Sequence, residues 1–291
     1  MTAQSETGRL RHVALKHPRD AFRSVETIAA EWQMLNFTAP PDLSRAIDEF
    51  DGLQALITSA GAEVHLLPAA TDTTLDSIYV RDGSIVCDRG IVLCRMGKPQ
   101  RSGEPEAQGA VLPNVGPRLP LLGRIEAPGT IEGGDVLWLD ERTLVVGRGY
   151  RTNDAGISQL RAMLGPAIEL VVVPLPHWHG DGEVMHLMSL ISPVGPGLAL
   201  VYSPLLPVPF RQWLLERGLT FIEVPDDEFD SMGTNALALS ARQCVMLAGN
   251  SKTRAALERA GVEVLEYEGR EISVKGGGGP TCLTRPLSRE P

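Results

Sequence analysis

Residues 153–174, NDAGISQLRAMLGPAIELVVVP, read as a helix and a strand in tight succession. The Asn153 side chain can cap a helix, and Ile157, Leu160, Met163 and Leu164 then fall on one face at helical spacing. Gly165 stops the helix, because glycine takes the left-handed conformation that ends one at little cost. Residues 168–173 are an apolar, β-branched run ending at Pro174, which predicts a strand. The same order recurs. Residues 43–57 form an amphipathic helix (Leu43, Ile47, Phe50, Leu53, Leu56, Ile57) with Pro41 near its start, Gly61 as its stop and a strand over 63–67 before Pro68. Residues 210–217 are followed by Gly218, a strand over 219–224 and Pro225; residues 251–260 are followed by Gly261 and a strand over 262–267. A weaker copy occupies 103–128, with Ile125 in its closing strand.

Two apolar strands precede each helix, such as 136–139 with 143–146 and 236–239 with 244–247. The repeated unit is therefore ββαβ, with a period of roughly fifty residues, and such a period marks a propeller, solenoid or other radial array. Five units close a ring if strands at 272–274 and 283–284 join residues 10–15 to complete the first. The reading is an α/β protein, one domain over 1–291, built as a five-bladed α/β propeller; an ordinary α/β sheet is the alternative. Residues 18–38 hold Trp32, Leu35 and Phe37 among many charges and read as an irregular, partly helical loop of the kind that covers a site.

The net charge of −9 argues against nucleic acid and anionic membrane as partners and is compatible with a cationic substrate. No apolar run approaches a membrane span, and residues 1–8 are polar with no secretory core. Cys87, Cys94, Cys244 and Cys282 show neither zinc-site nor disulfide spacing, so a reducing cytoplasm is the expected compartment. A homodimer is left open.

The repeat also orders the polar residues. Asp82, Glu132, His186, Asn235 and Cys282 each stand at the start of a unit's first strand, 50, 54, 49 and 47 residues apart. Equivalent positions in a radial fold converge on its axis, which would gather two carboxylates, an imidazole, an amide and a thiol. Cys282 follows four glycines, Gly276 to Gly279, and Pro280, which suits a thiol presented at a pocket rim. Carboxylates accept the paired N–H donors of a guanidinium, a thiolate can attack its central carbon, and a histidine can protonate the departing amine and then activate water. A bound cation would favour the thiolate. No metal or cofactor is called for. Read singly, Asp82 beside Arg81 is a surface ion pair, Glu132-Gly133-Gly134-Asp135 a turn, His186 a core histidine and Asn235 a turn residue.

At these residues the chain resembles the guanidine-modifying branch of the pentein superfamily. Asp76-Ser-Ile-Tyr-Val-Arg-Asp82, Ala127-Pro-Gly-Thr-Ile-Glu-Gly-Gly-Asp135, Arg151-Thr-Asn153, His186-Leu187 and Gly-Pro-Thr-Cys282 occur in family order, most like the dimethylarginine dimethylaminohydrolases. The resemblance implies a fivefold ββαβ propeller, with Cys282 as nucleophile, His186 as acid and base, and Glu132 and Asp82 on the guanidinium. It also implies that Asp76 helps hold the substrate, that Arg95 and Arg151 pair with its carboxylate, and that residues 18–38 form the lid. Two departures bear on the leaving amine. Arg81 stands where those hydrolases look like glutamate, and Met188 replaces the acid that deiminases and amidinotransferases carry two residues after the histidine, offering an apolar wall instead. Deimination of arginine and amidino transfer remain open beside dimethylarginine hydrolysis.

Two other classes are available. His177-Trp-His179-Gly-Asp181, with Glu183 and His186 nearby, resembles a metallohydrolase ligand set, although Gly182 stands where a histidine usually follows the acid. A non-catalytic pentein binding protein would leave the joint occurrence of Cys282, His186 and two acids without a reason.

Overall fold

Each ββαβ unit becomes a small sheet of three strands. The computed structural model describes residues 1–180, 182 and 185–291. Among them are five such sheets, each with one antiparallel and one parallel pair. The second sheet joins Ser84–Cys87, Gly90–Leu93 and Leu121–Arg124; the third joins Val136–Asp140, Thr143–Arg148 and Glu169–Pro174. The fourth holds Ile191–Gly195, Leu198–Val201 and Thr220–Glu223, and the fifth Ala236–Ser240, Gln243–Leu247 and Glu263–Tyr267. Parallel neighbours need a crossover. The repeated helices supply it: Leu43–Ser59, Glu104–Val111, Asp154–Leu164, Val208–Glu216 and Ser251–Arg259.

The punctuation works as the sequence predicts. Asn153 accepts from the Gly156 amide at 2.9 Å, and Gly165 ends that helix at φ +77°. The equivalent glycines Gly61, Gly218 and Gly261 are left-handed too. The helix over Leu43–Ser59 is capped by Asp42, whose carboxylate accepts from the Arg45 amide at 3.0 Å, and it buries Ala46, Phe50, Leu53 and Ile57.

The first sheet departs from expectation. Its centre is Arg9–Leu15, flanked by Glu63–Leu66 in parallel and by Arg285–Glu290 antiparallel. The strands expected at 272–274 and 283–284 are absent. Residues Arg270–Val274 instead form a wide helical turn, with the amides of Ser273 and Val274 both on the Gly269 carbonyl at 2.9 Å. The amide of Leu283 bonds back to Gly279, which keeps that stretch out of any ladder. The closing strand escapes the hydrophobic pattern because it contains Arg285 and Arg289, both buried; Arg289 donates to the carbonyls of Gly8 and Ala238. Residues 18–38 are more helical than predicted, with Pro18–Ala21 and Val25–Glu31 as helices.

Apolar clusters seal every junction between successive sheets. Leu10, Val13 and Phe50 meet Leu237 and Val245, joining the first unit to the fifth. Ile85 and Val92 meet Val136 and Trp138; Leu137 and Val145 meet Ile191 and Ala199; Val194 and Leu200 meet Ala236 and Cys244; Ala14 and Leu287 meet Val80 and Val86. The ring is closed by packing as well as by strand pairing. No helix among the described residues is long and apolar enough to cross a membrane.

Candidate active site

The turns that enter the first strand of successive sheets bring their polar residues together. Glu132 precedes the short turn Gly133–Asp135, and its Oε2 meets His186 Nε2 at 2.8 Å. The other ring nitrogen, Nδ1, lies 3.8 Å from Asp82 Oδ1. An imidazole thus stands between two buried carboxylates. Gly134 is needed for that approach: a Cβ there would lie 2.5 Å from His186 Nδ1 and 2.7 Å from Asp82 Oδ1, while its amide donates to Asp82 Oδ1 at 2.9 Å. Gly-Gly-Asp is both a turn and part of the site. Asp135 steadies it from behind, accepting from Thr152 Oγ1 at 2.6 Å and from the Leu187 amide at 3.0 Å.

Cys282 lies across the same cavity. Its Sγ is 3.6 Å from Asn235 Nδ2, and Asn235 Oδ1 accepts from both the amide and the hydroxyl of Thr281 at 3.0 and 2.9 Å. Asn235 therefore does more than shape its own turn: it holds the thiol loop. Arg81, on the other side, donates through Nε to the Thr281 carbonyl and through its amide to the Cys282 carbonyl, both at 3.1 Å. Its Nη1 faces Glu6 Oε1 at 3.5 Å.

The cavity measures about 260 Å³ and is lined by Asp76, Asp82, Arg151, His186 and Cys282, with Leu35, Asn36 and Thr38 from the end of the lid segment. Glu132 sits behind this surface, fully buried. Its Oε1 takes the amides of Gly97 and Lys98 at 2.9 and 3.1 Å and faces Arg151 Nη1 at 3.4 Å. With one oxygen on those donors and the other on His186, Glu132 is placed to orient the imidazole rather than to meet a ligand. Arg95 is not brought to this cavity: its guanidinium donates to the Gly129 carbonyl at 3.2 Å and lines a neighbouring cavity of about 450 Å³. Met188 is packed in the core with Leu187 and Leu190, so it forms no wall here.

Two basic residues absent from the sequence reading are present instead. Arg101 Nη1 is 2.6 Å from Asp82 Oδ2 and its remaining donors reach Glu104 and the Tyr79 carbonyl. Lys98 Nζ is 2.6 Å from Asp76 Oδ2. The Arg101–Glu104 spacing of three residues hints at an ion pair, but nothing local reveals that it is buried or that its other partner is Asp82.

The electrostatics follow from burial and pairing. Burial opposes a charge on His186, but Asp82, Asp135 and Glu132 outweigh it and raise the imidazole's pKa, while the His186 hydrogen bond lowers that of the buried Glu132. Burial, reinforced by Asp82, pushes the Cys282 thiol up. These directions favour an imidazolium beside a protonated thiol at rest, and an incoming cation next to Asp82 would ease thiolate formation. Replacing Glu132 by Gln tests the pairing. An amide N–H facing Nε2 forces that nitrogen to accept, so His186 should titrate at lower pH than in the wild type, with turnover reduced roughly 10²-fold or more. Histidine C2-proton NMR shifts across a pH series would register the change; an unmoved titration would refute it.

The glycine run is used for close packing. A Cβ at Gly276 would collide with the Tyr79 hydroxyl and lie 2.7 Å from Phe37 Cε1, both rigidly buried groups. Gly276→Ala should cost about 1–3 kcal/mol, the range for overpacking, seen as a lower urea midpoint.

The histidine-rich alternative finds little here. His177 Nδ1 pairs with the Tyr150 hydroxyl at 2.7 Å and His179 packs on Trp178, while Asp181 and Glu183 lie outside the described residues.

Comparison with known proteins agrees with the fold. Residues 33–289 match the family described as N,N dimethylarginine dimethylhydrolase, eukaryotic. A dimethylarginine dimethylaminohydrolase of Streptomyces coelicolor is 29% identical over 249 residues, covering 84% of this chain and 86% of its own. An uncharacterised Bacillus subtilis protein, YkgA, is 30% identical over 84% of this chain and 80% of its own. Among solved structures, the dimethylarginine dimethylaminohydrolase of Pseudomonas aeruginosa complexed with citrulline superposes with a TM-score of 0.76 at 23% identity, over 95% of this chain and 98% of that one. The amidinotransferase SxtG of Microseira wollei reaches 0.80 at 16% identity, over 100% and 97%. These two likenesses establish a shared fold, and the family match extends along most of the chain. The chain belongs to the N,N dimethylarginine dimethylhydrolase family of the pentein superfamily.

Proposed function

We propose that this chain is a cysteine-dependent hydrolase that cleaves a guanidine C–N bond in an arginine-type compound. What supports the reading above all is that His186, Asp82 and the Cys282 thiol line one cavity, with Glu132 on His186 from behind it. Asp82 draws in the guanidinium, and that positive charge favours Cys282 as thiolate, its proton being released to solvent. The thiolate adds to the guanidine carbon, and the C–N bond breaks as the His186 imidazolium gives its proton to the departing nitrogen. An amine leaves, and a thiouronium remains on Cys282. Neutral His186 then takes a proton from water; the hydroxyl adds to the same carbon, the C–S bond breaks with the thiolate restored, and the protonated ureido group gives its extra proton to solvent as the product departs. Glu132 keeps the ring oriented and favours its charged form throughout.

The family's name puts dimethylated arginine first among substrates, giving citrulline and dimethylamine. With Met188 in the core, the apolar wall once expected for the methyl groups loses its residue. Product analysis by mass spectrometry with arginine and asymmetric dimethylarginine separates the cases. Citrulline with dimethylamine supports the family reaction, citrulline with ammonia from arginine alone supports deimination, and failure of both together with an unreactive Cys282 overturns the proposal. Amidino transfer to an added amine would show as a new guanidino product from the same intermediate.

A further inference from the structure

The acids that face the cavity are already engaged. Among its described lining residues they are Asp76 and Asp82. Asp82 carries Arg101 on one oxygen and the Gly134 amide on the other, with His186 nearby. Asp76 carries Lys98, whose ammonium lies 2.6 Å from Oδ2 and also donates to the Leu35 carbonyl at 2.9 Å. The basic side chains of the lining, Lys98, Arg101, Arg151 and Lys275, outnumber those acids.

Lys98 is held at both ends. Its amide is bound to Glu132 Oε1, Pro99 stiffens the next residue, and its ammonium is clamped between Asp76 and the end of the lid. The two charged side chains are 11% and 5% exposed, so the pair is largely shielded from water. Breaking it would leave a buried charge without a partner, which is costly. The chain has in effect placed an ammonium of its own inside the substrate cavity.

Resting on the hydrolase reading above, we propose that the preferred substrate is an ω-guanidino carboxylic acid without an α-ammonium group. Its guanidinium goes to Asp82 Oδ1, which among the described residues holds only the neutral Gly134 amide and faces His186, and its carboxylate goes to the basic lining, which leaves the Lys98–Asp76 pair intact. Arginine and its methylated forms bring a second cation. That ammonium must share Asp76 with the Lys98 ammonium, two like charges at one carboxylate, or expel it. Alkylation at the guanidine end is a separate matter and is unaffected.

The test compares arginine with 5-guanidinopentanoate, two molecules that differ only in the α-ammonium, and repeats the pair with both compounds Nω,Nω-dimethylated. The wild-type protein should turn over the des-amino compounds with kcat/KM higher by about 10²-fold, as expected when one partner finds a buried group already satisfied. Lys98→Met keeps the stem and removes the charge, so it should lower that ratio by about tenfold or more, chiefly by raising turnover of the amino acids. A wild-type preference for arginine or dimethylarginine, or a ratio unchanged in Lys98→Met, overturns the proposal while the hydrolase reading stands. If none of the four guanidines reacts and 2-chloroacetamidine leaves Cys282 unlabelled, the hydrolase reading falls and this inference falls with it. The wild-type ratio alone decides the matter should the variant fail to fold.

Discussion

Cys282→Ser should lose turnover of every guanidine substrate by about 10³-fold or more, the scale on which removal of a nucleophile acts. The reason lies in the attacking atom. A thiol beside Asp82 becomes a thiolate once a cation is bound, whereas a serine hydroxyl in the same place stays protonated at any accessible pH. The carboxylates of Asp82, Asp135 and Glu132 favour the charged form of His186, which opposes its serving as the base that an alcohol would require. The fold should be indifferent, because the Asn235–Thr281 contacts that shape the loop do not involve the sulfur. An unchanged melting temperature with lost product formation and lost labelling by 2-chloroacetamidine is the expected pattern. A serine variant that retained turnover would place the nucleophile elsewhere.

Arg101→Met should be the most destabilising of the substitutions considered, by about 3–5 kcal/mol, the cost of stranding one side of a buried ion pair. Arg101 binds Asp82 and Glu104 together, and all three are buried. Its loss leaves two carboxylates facing each other's field without compensation. Glu104 makes the effect depend on pH. Burial already raises it to about 7 from an ordinary value of 4.5 even with Arg101 in place. A carboxyl raised in the fold keeps its proton there, so its penalty is absent below the unfolded value and grows as pH climbs through the folded one. Without Arg101 that folded value moves higher still. The Glu104 share of the deficit should therefore be absent below about pH 7, where both folded proteins keep that proton, and open only above it; a deficit that does not widen there would show that Glu104 does not carry it.

Much of the architecture could be read from the chain because its punctuation is local. A capping side chain, a helical face and a left-handed glycine lie within one segment, as at Asn153, Ile157 and Gly165, and each unit repeats them. The recurrence of Asp82, Glu132, His186, Asn235 and Cys282 at unit starts was legible for the same reason, and the structure brings all five to one centre. What escaped was long-range pairing. Lys98 meets Asp76 and Leu35 across turns that no periodicity encodes, and Arg101 looks like any helix-start arginine. Arg95 and Met188 carry suitable chemistry but face the neighbouring cavity and the core. The closing strand was missed because buried arginines break its apolar pattern, their charges being met by distant carbonyls such as those of Gly8 and Ala238.

Cys282 stands three residues before the strand Arg285–Glu290, whose pairing with Arg9–Leu15 completes the first sheet. The thiol loop is moored on one side by Asn235 and Arg81 and on the other by that last ladder. Fraying of that ladder thus pulls directly on the Cys282 thiol, while the other four sheets can keep their hydrogen bonds. On the proposed mechanism turnover reports whether the strands Arg9–Leu15 and Arg285–Glu290 are joined, and it should fade earlier in a denaturant titration than the far-ultraviolet signal of the remaining sheets.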